Sequence, residues 1–185
     1  MHDVTVIEFT TLDGIVDDPD GSAGTATGGW AFRYGPEAVA GDKFELGSRL
    51  DDGVLLLGRR TWQQFSKLWP GRSDEFSARM NAAPKRVVSR TLTDVGAWAN
   101  SAVLTGELTD EVRRLREERD VVVIGSASVA HTLLEQRLVD EVRLLVFPVV
   151  LGSGRRWYAG PVDLELVSAT QRGPAALLRY RAARA

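Results

Sequence analysis

Val54-Leu55-Leu56-Leu57-Gly58-Arg59-Arg60-Thr61-Trp62 is an apolar run that stops at a glycine and continues into two arginines and a threonine. Consecutive apolar residues suit a strand covered on both faces, and the residues after Gly58 suit the opening of a helix. The same design returns twice. Val88-Ser89-Arg90-Thr91 and Ile124-Gly125-Ser126-Ala127-Ser128 each leave an apolar run for small, hydroxyl-bearing or basic residues. Strand-to-helix turns of this kind predict an α/β fold with the turns gathered at the carboxyl ends of parallel strands.

Working outward, runs 4–9, 121–124 and 142–146 are also rich in Val, Ile and Leu, and 86–88 and 102–104 are weaker strand candidates. Pro36 and Glu37 open a helix running towards Leu50 across Gly41 and Gly47; proline fits a first turn, and an acid there complements the helix dipole. Thr61 opens another, with Trp62, Phe65 and Trp69 on one face before Pro70. Thr109 is the expected N-cap of a helix over 110–119. Segments 164–171 and 177–181 flank Arg172-Gly173-Pro174 and predict an antiparallel hairpin at the carboxyl end of the chain. Residues 17–29, rich in Gly, Asp and Thr, are expected to form a mobile surface loop.

With 185 residues and 44% hydrophobic content, a single domain over 1–185 is expected. A net charge of −2 gives no overall basic field for nucleic acid. Cys is absent, which excludes thiolate chemistry and Cys-based zinc sites. Only His2 and His131 offer imidazoles, so no metal is expected and His131 is given no role. The start, Met1-His2-Asp3-Val4, lacks a signal-peptide pattern, and the apolar run 144–151 contains Pro148 and falls short of the roughly 20 residues of a spanning helix. A cytoplasmic location without membrane contact is the expectation.

Helix N-termini present unpaired N–H groups and a positive dipole end, glycine allows close approach, and arginine and hydroxyl side chains add donors. Three such turns side by side suit a phosphate-bearing ligand. Each turn alone has a plainer reading: Gly58 and Gly125 as backbone corners, Ser128 as a cap, Arg59 and Arg60 as surface charges. The common nucleotide signatures G-x-x-x-x-G-K-[ST] and G-x-G-x-x-G are absent.

Gly58-Arg59-Arg60-Thr61-Trp62 resembles the G-R-x-T-W turn of dihydrofolate reductases. Thr11-Leu12-Asp13-Gly14, Lys85-Arg86-Val87-Val88-Ser89-Arg90-Thr91, Gly125-Ser126-Ala127-Ser128 and Pro148-Val149-Val150-Leu151-Gly152-Ser153-Gly154 resemble, in order, landmarks of the RibD C-terminal family. The resemblance spans nearly the whole chain. It implies a doubly wound, mostly parallel mixed sheet of the dihydrofolate reductase type and an NADPH-dependent reductase acting on a small heterocyclic or carbonyl substrate. By matching positions, Gly58, Arg59, Arg60 and Thr61 would meet the adenosine phosphates, and Ser89, Arg90 and Thr91 the 2′-phosphate. Gly125, Ser126, Ala127 and Ser128 would hold the pyrophosphate, and Phe9, Thr10, Thr11 and Val16 would border the nicotinamide. The family resemblance also suggests a homodimer, with 144–151 and the tail hairpin as a possible interface.

Two acids are catalytic candidates. Glu8 lies inside an apolar strand, either as a proton donor or as a paired structural glutamate. Glu37 stands near the position where folate enzymes place their substrate-binding acid, either in that role or as a solvated first-turn residue. Trp30, Phe32 and Tyr34 either wall an aromatic substrate pocket or fill the core. The Gly125-Ser126 pair replaces the glycine pair of the folate enzymes. A nucleotide-binding or regulatory module without turnover is the alternative.

Overall fold

In the computed structural model, residues 1–40 and 46–182 are described. Their strands form one eight-stranded sheet in the order β4-β3-β2-β5-β1-β6-β8-β7. The strands are β1 (Val4–Thr11), β2 (Val54–Gly58), β3 (Lys85–Val88), β4 (Ser101–Val103), β5 (Val121–Ile124), β6 (Glu141–Phe147), β7 (Leu164–Arg172) and β8 (Ala175–Ala182). All pairings from β4 through β6 are parallel; β8 runs antiparallel to β6 and to β7. The mixed sheet and terminal hairpin thus match the sequence reading. Gly173, at φ +56°, supplies the left-handed residue of the tight turn before Pro174.

Helices cover both faces. They are α1 (Gly35–Ala40), α2 (Ser48–Asp51), α3 (Arg59–Leu68), α4 (Glu75–Ala82), α5 (Leu108–Glu118) and α6 (Ala127–Glu135). Along β1 the side chains alternate: Val4 and Val6 join the core beneath α5 and α6, whereas Ile7 joins the core beneath α2, α3 and α4. A third cluster, containing Trp30, Phe147 and Leu177, fills the space beside β6 and β8. The central strands are buried on both faces, so their sequences show runs rather than alternation.

Several expected element boundaries shift. α3 begins at Arg59 with Gly58 as N-cap, two residues ahead of Thr61, because β2 passes into the helix without a loop. α5 is capped at Glu107, not Thr109. The helix expected from Pro36 to Leu50 does not run through: α1 ends at Ala40, Gly47 sits at φ +49°, and α2 starts at Ser48. Gly41 lies outside the described residues. The run 144–151 is largely interior, since β6 is paired on both edges; the exposed apolar residues nearby are Val150, and Leu166 and Val167 on the outer strand β7. Among the described residues, no helix is long and apolar enough to cross a membrane.

Candidate active site

The three turns after β2, β3 and β5 meet at the carboxyl end of the sheet and line a cavity of about 1270 Å3. That exceeds the usual volume for a drug-sized ligand, roughly 300–1000 Å3, and leaves room for a dinucleotide with a second molecule beside it. Gly58, Arg59, Arg60, Thr61, Ser89, Arg90, Thr91, Gly125, Ser126, Ala127 and Ser128 all line it, as the sequence reading expects. Direct bonds join the turns. Arg59 donates to Thr91 Oγ1 (2.7 Å), and Ser126 Oγ accepts from the Gly58 N–H (2.8 Å) while donating to Thr61 Oγ1 (2.8 Å).

Gly125 and Ser126 both occupy the left-handed region, at φ +62° and +66°. The serine therefore keeps the backbone path that a second glycine would allow. A non-glycine residue there costs about 1–2 kcal/mol, which the two hydroxyl bonds offset. The helices that follow, α3 and α6, have no acid in the first turn and no side-chain cap. Their first-turn residues line the cavity, and a helix N-terminus attracts anions.

Further lining of the cavity comes from β1 and two loops. Glu8, Phe9 and Val16 line it, with Arg155 from the segment after β6. Glu8 is 4% exposed, its Oε1 has no hydrogen-bond partner among the described residues, and burial lifts its pKa to about 8, with Arg155 pulling it down. This carboxyl is mainly protonated at neutral pH. The loops are tied together: Asp13 accepts from Thr11 Oγ1 (2.6 Å) and from the N–H groups of Gly152 (2.7 Å) and Leu151 (3.3 Å). Those bonds, led by Thr11, hold the Asp13 carboxyl down at about 2. Asp17 in turn accepts from the Arg155 N–H (2.5 Å).

Residues 17–29, expected as a mobile surface loop, contribute a wall of the same cavity through Asp17, Asp18, Pro19, Asp20 and Ala23. Asp18 organises it. Its carboxylate accepts from the Ala23 N–H, the Thr25 N–H and Thr25 Oγ1 at 2.8–2.9 Å. A Cβ on Gly28 would lie 2.1 Å from Asp18 Oδ2, so glycine is needed there. Gln64 of α3 donates to Asp20 Oδ2 (2.6 Å), latching the loop across the cavity.

Of the three aromatics considered for a substrate pocket, Phe32 lines the cavity and Trp30 and Tyr34 do not. Trp30 is fully buried, packs edge-on against Phe147 and donates to the Asp17 carbonyl. Tyr34 packs on the same ring and donates to the Pro148 carbonyl. Both belong to the core reading. The apolar wall is instead built by Phe65, Leu68, Trp69, Phe76 and Met80 of the α3–α4 region, with Leu46 and Val39. Thr10 and Thr11 also lie off the cavity; Thr10 is buried, and Thr11 braces the following turn by accepting from the Ile15 N–H. Glu37 lies by the tail turn, 3.2 Å from where a Cβ on Gly173 would stand, and not in the cavity. His131 bonds the Arg156 carbonyl.

The RibD C-terminal domain matches residues 2–178, nearly the whole chain. The chain belongs to this family. YyaP of Bacillus subtilis strain 168 is 30% identical over 110 residues, 55% of this chain and 57% of that protein, so the chain spans little more than half of that relative. A protein of Shewanella sp. PV-4 named for riboflavin biosynthesis shares the fold with a TM-score of 0.76 at 22% identity, covering 98% of this chain and 99% of that one. A Thermotoga maritima diaminohydroxyphosphoribosylaminopyrimidine deaminase/5-amino-6-(5-phosphoribosylamino)uracil reductase gives 0.61 at 18% identity, covering 98% of this chain and 57% of that one.

Within this RibD C-terminal domain, several cavity residues escaped the sequence reading. Arg155, Asp17 and Gln64 come from segments whose meeting is set by tertiary contacts, with no local pattern to mark them. Phe65 and Trp69 were legible as an apolar helix face, but the pattern does not distinguish core from cavity wall. Arg72, over the Trp69 ring at 5.4 Å from its centroid, follows Pro70-Gly71 and carries no local signal of its position at the rim.

Proposed function

We propose that this protein is a cytoplasmic NADPH-dependent reductase that passes a hydride to a small heterocyclic or carbonyl substrate. The observation that carries the reading is the pairing of two acid-free, uncapped helix N-termini with three hydroxyl-bearing turns, two of which also carry arginine, in one cavity. This donor set suits a dianionic phosphate and a pyrophosphate. Arg59, Arg90 and Ser89 would hold the 2′-phosphate, and Gly125, Ser126 and Ala127 the pyrophosphate; when bound, NADPH supplies the hydride.

The chain's own part in such a reaction is placement, exclusion of water and control of a proton. Phe9 and Val16 supply an apolar edge where a flat ring can lie, and the 17–29 loop, latched by Gln64, shields it. Phe32, Phe65 and Trp69 offer an aromatic wall for a flat acceptor. With Glu37 outside the cavity, no acid stands where folate enzymes hold theirs, so dihydrofolate is a poor substrate on this reading. A dimer, if formed, would use the outer strand β7, where Leu166 and Val167 are exposed.

Calorimetric titration of NADPH and NADH into the wild-type protein tests the reading. We expect NADPH to bind at least about tenfold more tightly, as a charge-assisted phosphate contact is worth roughly 1.5–3 kcal/mol. Equal affinities, or no binding of either cofactor, would overturn it. Measured NADPH oxidation with carbonyl and heterocyclic acceptors separates a turning-over enzyme from a binding module.

A further inference from the structure

Glu8 interrupts an otherwise apolar row. On the α6-facing side of β1 the order is Val4, Val6, Glu8, Thr10, with Val123 beside Val6 on β5 and Leu144 beside Glu8 on β6. From α6, Val129 and Ala130 belong to the same core as Val4 and Val6. Apart from Glu8 itself, Thr10 alone among these carries a hydrogen-bonding side chain, and its hydroxyl donates to the Thr11 carbonyl (3.2 Å). An unpartnered carboxyl oxygen in such a place is costly, and native structures keep one where a ligand or a reaction uses it. Glu8 lines the cavity, as do Phe9, next to it on the same strand, and Val16.

The charged groups around it are few. Arg155, from the segment after β6, is the charge whose field reaches Glu8. It is fixed by Asp17, which accepts from its N–H (2.5 Å) and faces its Nε at 3.7 Å, and by its own carbonyl, which accepts from the Val16 N–H (2.9 Å). Asp17 is thereby engaged with Arg155. His131, on α6, is bonded to the Arg156 carbonyl. β5 brings no titratable side chain, and the titratable residues of β6, Glu141 and Arg143, bond to each other at its opposite end.

We infer that the Glu8 carboxyl supplies the proton that accompanies the hydride, with Arg155 as the positioning residue that stabilises the carboxylate left behind. The inference rests on the reductase reading above. The hydride brings two electrons and one hydrogen to the carbon of a C=O or C=N bond. The Glu8 O–H bond breaks and its proton goes to the oxygen or nitrogen; solvent then returns a proton to Glu8. NADPH, one proton and the acceptor thus give NADP and the reduced acceptor, in balance. Burial that keeps Glu8 protonated up to about pH 8 fits a donor at neutral pH, and Arg155 offsets the charge that transfer creates.

The coupling has a consequence that needs no acceptor. The oxidised nicotinamide ring is positive and the reduced ring is neutral, so a ring beside Glu8 should drive off its proton only in the oxidised form. Calorimetry in two buffers of different ionisation enthalpy, near pH 7.5, reads the protons released on binding NADP and on binding NADPH. The difference cancels contributions from the phosphates, which both cofactors share. We expect NADP to release between about one half and one proton more than NADPH. Glu8→Gln should abolish the difference and weaken NADP relative to NADPH, Glu8→Asp should restore part of it, and Arg155→Gln should move its pH window upward. No difference in the wild type while both cofactors bind, or the same difference in Glu8→Gln, would overturn the inference and leave the reductase reading intact. Failure of the wild type to bind either cofactor would overturn both. Should Glu8→Gln not fold, Arg155→Gln carries the test, and an unshifted window refutes the coupling.

Discussion

The two ends of the sheet treat buried polar groups in opposite ways. At the amino end, Glu141 accepts from Arg49 (2.5 Å), Arg179 (2.8 Å) and Arg143 (2.9 Å), and Asp140 accepts from Arg116 (2.7 Å) and the Val4 N–H (2.9 Å). Burial pushes the Glu141 pKa up, but the arginines outweigh it and hold it at about 2. At the carboxyl end, Glu8 has an unpartnered oxygen and a pKa raised to about 8, and α3 and α6 begin without acid or cap. Two other helices are compensated: Asp74 caps α4 ahead of Glu75, and Asp110 and Glu111 occupy the first turn of α5. The closed end serves stability. The open end leaves hydrogen-bonding capacity unused among the described residues.

The sharpest way to break this comparison is at Glu141. Removing one partner of a buried ionic network leaves uncompensated charge, typically costing about 3–5 kcal/mol. Glu141→Ala is therefore expected to lower stability by about 3 kcal/mol or more in denaturant titration, while NADPH affinity in the surviving folded fraction is unchanged. A loss below about 1 kcal/mol would remove the amino end from its stabilising role.

The next effect belongs to the open end. Arg59→Ala and Arg90→Ala are each expected to weaken NADPH by about tenfold or more, with little change in NADH or in thermal stability. Calorimetric titration of both cofactors into each variant decides it. Unchanged NADPH binding in both variants would return these arginines to the solvated surface.

Acid and alkali should then separate the two glutamates. Glu141 has a folded pKa below its ordinary value, so its contribution is present above about pH 4.5 and is lost as pH falls towards 2. Glu8 has the opposite sign. Its folded pKa is raised, so its favourable protonation is present below about pH 4.5 and its contribution is lost as pH rises through 8. Melting curves from pH 4 to 9 should therefore show Glu8→Gln gaining on the wild type as pH rises. A constant difference across that range would refute an elevated Glu8 pKa.

The smallest effect is the most discriminating, because stability and binding should move in opposite directions. Ser128 lies in the first turn of α6 and lines the cavity. Ser128→Asp should stabilise the helix by about 0.3–1 kcal/mol through its dipole. The same carboxylate repels a pyrophosphate, so NADPH affinity should fall. If both quantities rise together, no anion binds at that helix end.

The sequence alone determined the order of strands and turns, because each buried strand shows as an apolar run and each turn is broken by glycine, serine or arginine beside it. It also singled out Glu8, since a charge inside such a run is visible without coordinates. Tertiary structure decided everything that depends on direction. Trp30 and Tyr34 went to the core while Phe32 went to the cavity, although all three belong to one short aromatic stretch. Glu37 turned to the tail hairpin, and Arg155 and Asp17 were brought to the wall by a loop-to-loop bond. The physical reason is that local pattern records whether a residue is apolar, charged or conformationally permissive, properties of a single side chain and its neighbours in sequence. Which surface that side chain meets is set by how distant segments pack, and neither a lone arginine nor an aromatic triplet carries that information along the chain.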